Sequence, residues 1–392
     1  MIILADQNIP CVADAFGDLG EVRLMPGREI RREQLRDCRC LITRTVTRVD
    51  RDLLDGTPVE FVGTATIGTD HIDLDYLQQN GIACSNAAGC NAEAASEYVI
   101  SGLFAMSQHR DFDPFELKAG IVGYGNVGSR LYQKLDALGI ECRVCDPPLQ
   151  ETGESGQDFV DIDTILGECN FISLHVPLTR DGRHQTFHLL DRDRLGLLAS
   201  GCLLVNAARG EVVDNAALLD LLRARDDITV FLDTWEHEPL VDRGLLQRVD
   251  LATPHIAGYS VEGRLRGTQM VLDAACRHFG LESSWHMTQL LPAGKSITID
   301  AARSRLESWR SLFRQHCDIR RDHAAFVAGA DYDDNAFVNH FDGLRRVYPD
   351  RLEYERFSVD SAGTELPHAT LRELGFRVPG LRGGTDPPER LA

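Results

Sequence analysis

Three residues of complementary chemistry each stand just beyond a run of apolar residues: Arg209 after CLLVNAA, Glu238 after ITVFLDTW and His255 after DLATP. An imidazole titrates near neutral pH, so it can take a proton and return it. A carboxylate beside it would hold the ring and raise its basicity. A guanidinium presents a planar fork of donors that clasps a carboxylate through two hydrogen bonds. Together they suit removal of the proton from a hydroxyl that neighbours a carboxylate. Taken singly, each has a plainer reading. The chain has 13 histidines, most of which must serve packing or surface; Arg209 before Gly210 fits a turn cation, and Glu238 before Pro239 fits a solvated loop acid. Position joins them: if the apolar runs are parallel strands of one sheet, all three lie at carboxyl ends, where open α/β sheets bind ligands. His237, next to Glu238, is expected to be exposed.

A second pattern belongs to the same edge. Gly123, Gly125 and Gly128, with Asn126 and Val127, form G-x-G-x-x-G between an apolar strand (Ile121, Val122) and a helix whose apolar face is Leu131, Leu135 and Leu138. Glycines let the backbone approach a pyrophosphate and let the helix pack on the strand, while the helix N-terminus offers amide donors and positive potential. The next strand ends in Asp146, 18 positions beyond Gly128, as a dinucleotide-binding turn requires. An acid there would hydrogen-bond the adenosine ribose and repel a 2′-phosphate, which makes NAD the expected cofactor.

The elements that must position these groups alternate. IILA (2–5), CLITR (40–44) and EFVGTAT (60–66) read as strands between helical stretches, and a second series runs from GIVGYG near 119 through ECRVCD, FISLHVP, CLLVNAA, ITVFLDTW and DLATPH. Such alternation predicts parallel sheets with crossover helices. Residues 91–108 predict a long helix between the two series, from Ala92, Ala95, Val99, Leu103 and Met106 at helical spacing. A further helix after Gly258, to about 280, lets the chain cross back. From about 281 the composition shifts to Arg, Asp and His with scattered aromatics, predicting a third, smaller unit that ends in a frayed Pro/Gly-rich tail at 381–392.

Length and charge bound the alternatives. With 392 residues and 43% apolar composition the chain can bury a sizeable core. Its net charge of −19 argues against nucleic-acid and anionic-membrane partners, which need a basic footprint. No long apolar segment or leader is recognisable, and a soluble, cytoplasmic protein is expected. The 11 cysteines are scattered. Cys142 and Cys145 form C-x-x-C, but on a strand they would face opposite sides, so buried free thiols are expected and no metal site.

At these residues the chain resembles the D-isomer-specific 2-hydroxyacid dehydrogenase family, through GYGNVG, Asp146, NAARGEVVD (206–214), LDTWEHEP (232–239) and TPHIAG (253–258). The resemblance implies two doubly wound parallel-sheet domains, one flavodoxin-like and one Rossmann, plus a small α+β C-terminal dimerisation domain. The expected division is a substrate domain at 1–93 completed by 259–280, an NAD-binding domain at 94–258, and a dimerisation domain at 281–380 that makes the protein a homodimer. Carried over residue by residue, it implies catalytic Arg209, Glu238 and His255. It implies NAD on the glycine loop, Asp146, Val176, the Ala207–Ala208–Arg209 turn, Asp233 and Gly258, and substrate contacts at Thr45, Thr66 and Tyr259. Thr45 stands where serine is expected and Ala208 where cysteine is expected. A small phosphorylated hydroxy acid is the implied substrate. Its phosphate needs local positive charge and hydrogen-bond donors, for which Arg44 and Thr45 are first candidates, with Arg345 or Arg346 completing the pocket across a dimer. Another D-2-hydroxy acid such as 3-phosphoglycerate, or a non-catalytic NAD-sensing corepressor role, are the alternative readings.

Overall fold

Short apolar runs rich in Ile, Val, Leu and Phe pair in parallel, as strands buried on both faces do. The computed structural model describes residues 1–153 and 155–379, so the tail expected at 381–392 lies outside the described residues. The chain divides into two compact units.

The first unit comprises Met1–Ala95, Gly258–Pro292 and Asp350–Leu352. Its strands β1 (Ile2–Asp6), β2 (Glu21–Met25), β3 (Cys40–Thr43), β4 (Phe61–Thr64) and β5 (Ala83–Asn86) form one sheet in the order β2-β1-β3-β4-β5, the flavodoxin-like order. Alternation along each strand makes two cores. Ile3, Ala5, Cys40 and Ile42 face one side, with Val271 and Leu272 of the helix Val261–Phe279. Leu4 and Leu41 face the other, with Leu35 and Val62. The carboxyl ends of β3 and β4 deliver Arg44, Thr45 and Thr66 to one edge.

The second unit comprises Ser96–Ala257, Ala293–Pro349 and the residues from Glu353 onward. Strands β6 (Lys118–Val122), β7 (Glu141–Cys145), β8 (Phe171–Leu174), β9 (Leu203–Asn206), β10 (Thr229–Leu232) and β11 (Leu251–Ala252) are all parallel, in the order β11-β10-β9-β8-β6-β7. The winding reverses between β6 and β8, the switch point at which a doubly wound sheet opens a crevice. Two further strands, β12 (Lys295–Thr298) and β13 (Phe357–Asp360), pair in parallel as a separate small sheet. Between them run the helices Ile319–Val327 and Asp334–Arg346, whose Phe326, Phe337 and Phe341 join Trp235, Leu232 and Ala252 in one buried cluster. This is the α+β element after 281, and its aromatics pack into the core of the second unit.

The expected long helix runs from Ala92 to His109. Among the described residues no helix is long and apolar enough to cross a membrane. All 11 cysteines are free thiols. Burial pushes the thiols of Cys142 and Cys145 up to about 12, so neither is a ready nucleophile or metal ligand.

Candidate active site

The glycine turn follows β6, and two of its glycines are required by space. Gly123 has φ +92°, and a Cβ there would lie 2.7 Å from the His175 carbonyl. A Cβ on Gly128 would collide with the Gly123 carbonyl oxygen, so only glycine lets the helix Asn126–Ala137 sit this close to the strand. Gly125 precedes that helix, and no side chain caps the N-terminal amides. Asn126 and Val127 open its first turn. Uncapped amides at a helix N-terminus beside a glycine cradle fit a pyrophosphate.

Asp146, one residue past β7, closes this turn from the side. Its Oδ2 accepts the Tyr124 backbone N–H at 2.7 Å and its Oδ1 accepts that of Leu149 at 3.0 Å, so one carboxylate pins the glycine loop and caps the following helix. Each oxygen has a second lone pair that a ribose hydroxyl can use. Past β8, the backbone of His175 donates to Val122 at 2.7 Å, which sets Val176 beside Gly123. The His175 side chain meets Ser173 Oγ at 2.8 Å, and desolvation pulls the imidazole down to about 3, so it stays neutral.

Beyond β9 the chain makes the Ala207–Ala208–Arg209 turn. Asn206 builds it: Oδ1 accepts the Ala208 N–H at 3.1 Å and Nδ2 donates to the Arg209 carbonyl at 2.9 Å. Gly210 then lies so close to the Trp235 carbonyl that no Cβ would fit. That contact sets the backbone of the turn bearing Arg209 against the loop bearing Glu238. Arg209 is partly exposed, with Nη1 donating to the Ala208 carbonyl at 2.8 Å.

The loop after β10 folds onto itself. Trp235 is buried; its indole N–H donates to the Thr253 carbonyl at 2.9 Å, and its amide N–H donates to Glu238 Oε1 at 2.7 Å. The other oxygen of Glu238, Oε2, lies 2.8 Å from His255 Nδ1. A carboxylate only accepts, so Nδ1 carries the hydrogen and Nε2 is left to exchange a proton. The Glu238 side chain is 20% exposed and that of His255 34%. Burial would lower the imidazole's basicity, but the charge and hydrogen bond of Glu238, helped by Asp233, outweigh it and hold His255 above its ordinary value. Burial likewise opposes ionisation of Glu238, yet His255, the Trp235 amide and Arg345 hold its carboxyl below the usual range. Arg345 opposes protonation of His255. It thus acts on both members of the pair within its own chain.

His255 has φ +55°, a left-handed conformation that a non-glycine residue adopts only where neighbours enforce it. Asp233 enforces it. Its carbonyl accepts the His255 N–H at 2.7 Å, its Oδ1 accepts Thr253 Oγ1 at 2.6 Å and the Ile256 N–H at 2.9 Å, and its Oδ2 accepts the Ala257 N–H at 2.9 Å. Sequence reasoning expected Asp233 on the cofactor side and missed this work, along with Thr253, Asn206 and Trp235; the adjacent motif letters were the only signal. His237 is exposed.

In the first unit, Thr66 Oγ1 is 2.7 Å from Thr64 Oγ1, which is 3.2 Å from His71 Nε2. Arg44 and Tyr259 are partly exposed and Thr45 is exposed. Gly258 crowds Asn91, whose side chain a Cβ would strike.

The family model of the D-isomer specific 2-hydroxyacid dehydrogenase NAD binding domain matches residues 88–257. An erythronate-4-phosphate dehydrogenase of Stutzerimonas stutzeri is 48% identical over 96% of this chain and 100% of its own length. One from Azotobacter vinelandii is 45% identical over 95% and 98%. Among solved structures, NAD+-bound 3-phosphoglycerate dehydrogenase of Entamoeba histolytica superposes with a TM-score of 0.61 at 23% identity, covering 71% of this chain and 95% of that one. The NAD complex of a Staphylococcus aureus formate dehydrogenase gives 0.57 at 21% identity, over 73% and 98%. These two show the shared fold.

Proposed function

Because the chain belongs to the D-isomer-specific 2-hydroxyacid dehydrogenase family, we propose that it oxidises 4-phospho-D-erythronate at carbon 2 to 3-hydroxy-2-oxo-4-phosphooxybutanoate, a step towards pyridoxal 5′-phosphate. NAD, when bound, supplies the hydride acceptor. The observation that carries this reading is the bond between His255 Nδ1 and Glu238 Oε2 at 2.8 Å, set on the same sheet edge as the glycine turn. His255 Nε2 takes the hydroxyl proton, and Glu238 stabilises the imidazolium that results. Arg209 clasps the substrate carboxylate and polarises the carbon-2 oxygen.

For NAD we assign Gly123, Gly125, Asn126, Val127 and Gly128 to the pyrophosphate, Asp146 to the adenosine ribose, and Val176, Ala207, Ala208, Arg209, Asp233 and Gly258 to the remainder. For the substrate we assign Arg44, Thr45, Thr66 and Tyr259. The segment 281–380 is assigned to homodimer formation, and the enzyme to the cytoplasm. Light scattering of the purified protein tests the first of these.

The decisive assay incubates the protein with NAD and 4-phospho-D-erythronate and follows NADH absorbance. Rapid turnover is expected; preference for 3-phosphoglycerate would move the assignment to that acid. NAD binding without turnover of any hydroxy acid would favour the corepressor reading.

A further inference from the structure

His71, in the first unit, reaches two of the segments assigned to the substrate by two different routes. Its backbone carbonyl accepts the Val49 N–H at 2.8 Å, and the Asp73 N–H donates to the Val49 carbonyl at 2.8 Å. Val49 closes the loop that starts at Arg44 and Thr45. Thr47 also holds that loop: its N–H donates to the Arg44 carbonyl at 3.1 Å and its hydroxyl to the Gly27 carbonyl at 2.9 Å. The His71 side chain goes the other way. Nε2 lies 3.2 Å from the hydroxyl oxygen of buried Thr64, the last residue of β4, and that oxygen lies 2.7 Å from Thr66 Oγ1. The backbone around Thr66 is already held, because its carbonyl accepts the Ala87 N–H at 3.1 Å and the Ile67 carbonyl accepts Asn86 Nδ2 at 2.6 Å. What the backbone leaves open is where the hydroxyl hydrogen of Thr66 points.

The direction of the side-chain relay follows from His71. Burial outweighs the nearby charge of Asp70 and holds the imidazole below its ordinary value, so at neutral pH the ring carries one N–H. Nδ1 is shut off from solvent and has no hydrogen-bond partner among the described residues; a proton there would be a buried donor with nothing to donate to. On Nε2 the same proton donates to Thr64 Oγ1. Thr64 then gives its own hydrogen to Thr66 Oγ1, and Thr66 keeps its hydrogen for a third group. Successive bonds polarise one another, which strengthens the last donor. A hydroxyl that accepts from behind and donates outward suits an anion. We propose that His71 is a positioning residue for substrate binding: through Thr64 it sets the Thr66 hydroxyl as a donor to an anionic oxygen of the substrate, carboxylate or phosphate. The proposal rests on the function inferred above and deepens it. One residue thereby ties the Arg44–Thr45 loop, by its backbone, to the donor direction of Thr66, by its ring.

Steady-state kinetics on 4-phospho-D-erythronate test this with the full-length wild type, His71→Phe, His71→Gln, Thr66→Val and the double variant of His71→Phe with Thr66→Val. Melting temperatures report folding. Phe keeps a flat ring and removes the donor, whereas Gln places an amide N–H near the position of the imidazole Nε2–H. His71→Phe should lower kcat/KM at least about fivefold, chiefly through KM, because the hydroxyl facing the anion is no longer held as a donor. KM for NAD should stay within about twofold of wild type, and His71→Gln should recover most of the loss. The double variant supplies the readout that a packing role would not move: once the Thr66 hydroxyl is gone, replacing His71 should cost no more than about a further twofold. Unphosphorylated D-erythronate then identifies the anion. A loss in His71→Phe confined to the phosphorylated acid assigns the hydroxyl to the phosphate, and an equal loss on both acids assigns it to the carboxylate. If His71→Phe does not fold, Thr64→Val, which removes the middle hydroxyl, goes through the same cycle. No loss in the single variant, or a loss that persists in full in the Thr66→Val background, overturns the proposal. Should the wild type oxidise neither acid, the functional assignment falls and takes this proposal with it; should it prefer 3-phosphoglycerate, the same comparison is made on that acid and D-glycerate.

Discussion

Asp233 holds His255 by the backbone, accepting its N–H at 2.7 Å while the same residue's carboxylate takes the amides of Ile256 and Ala257. The position of the base is therefore set by a carboxylate that is 1% exposed. In Asp233→Asn the amide NH2 must face at least one N–H or O–H donor, and an unsatisfied buried donor costs about 1–3 kcal/mol. The variant should melt several degrees lower and lose most of its turnover. An unchanged melting temperature would remove Asp233 from this role.

His255→Ala removes the proton acceptor and leaves the glycine turn intact. Turnover should fall at least about a hundredfold, with NAD affinity, read by fluorescence titration, within a few-fold of wild type. A near-normal rate would mean the base lies elsewhere.

Glu238→Gln keeps the size of the side chain and removes its charge. The carboxylate holds His255 above its ordinary value against the effect of burial. Without it the imidazole becomes less basic, so the acid limb of kcat/KM should move to lower pH while kcat drops. A limb that stayed in place would show that Glu238 does not tune the base.

Asp146→Ala should erode the preference for NAD over NADP, measured as the ratio of kcat/KM values. It also deletes a helix cap, at about 1 kcal/mol, so a modest fall in melting temperature accompanies it. Unaltered cofactor selectivity would exclude the ribose assignment.

His175 makes stability depend on pH. Its folded value is pulled to about 3 from an unfolded value near 6.5, so the unfolded chain binds the proton more readily. The sign follows: this contribution is complete above about pH 6.5 and is lost progressively as pH falls toward 3. Thermal melts between pH 7 and 4.5 should show a fall that is shallower in His175→Gln. Parallel curves for the two proteins would count against it.

What could be read from the sequence was local or periodic. The glycine turn, Asp146 and the positions of Arg209, Glu238 and His255 after apolar runs depend on short-range spacing, and parallel strand order then carries them to one edge. Asp233 was legible only as a motif letter, because its partners Thr253, Ile256 and Ala257 lie 20 or more positions away. Phe337 and Phe341 announce an apolar helix face, but spacing does not say what covers it. That the cover is Phe326, which itself meets Trp235, is tertiary information.

The aromatic seam of Phe326, Phe337 and Phe341 against Trp235 also limits how this protein can be cut. A fragment ending at Ala257 would include every strand of the six-stranded sheet, yet it would expose to water the flank of Trp235 that Phe326 covers. Such a truncate should be sticky and loosely ordered around its catalytic loop, because part of its interior is encoded some seventy residues downstream.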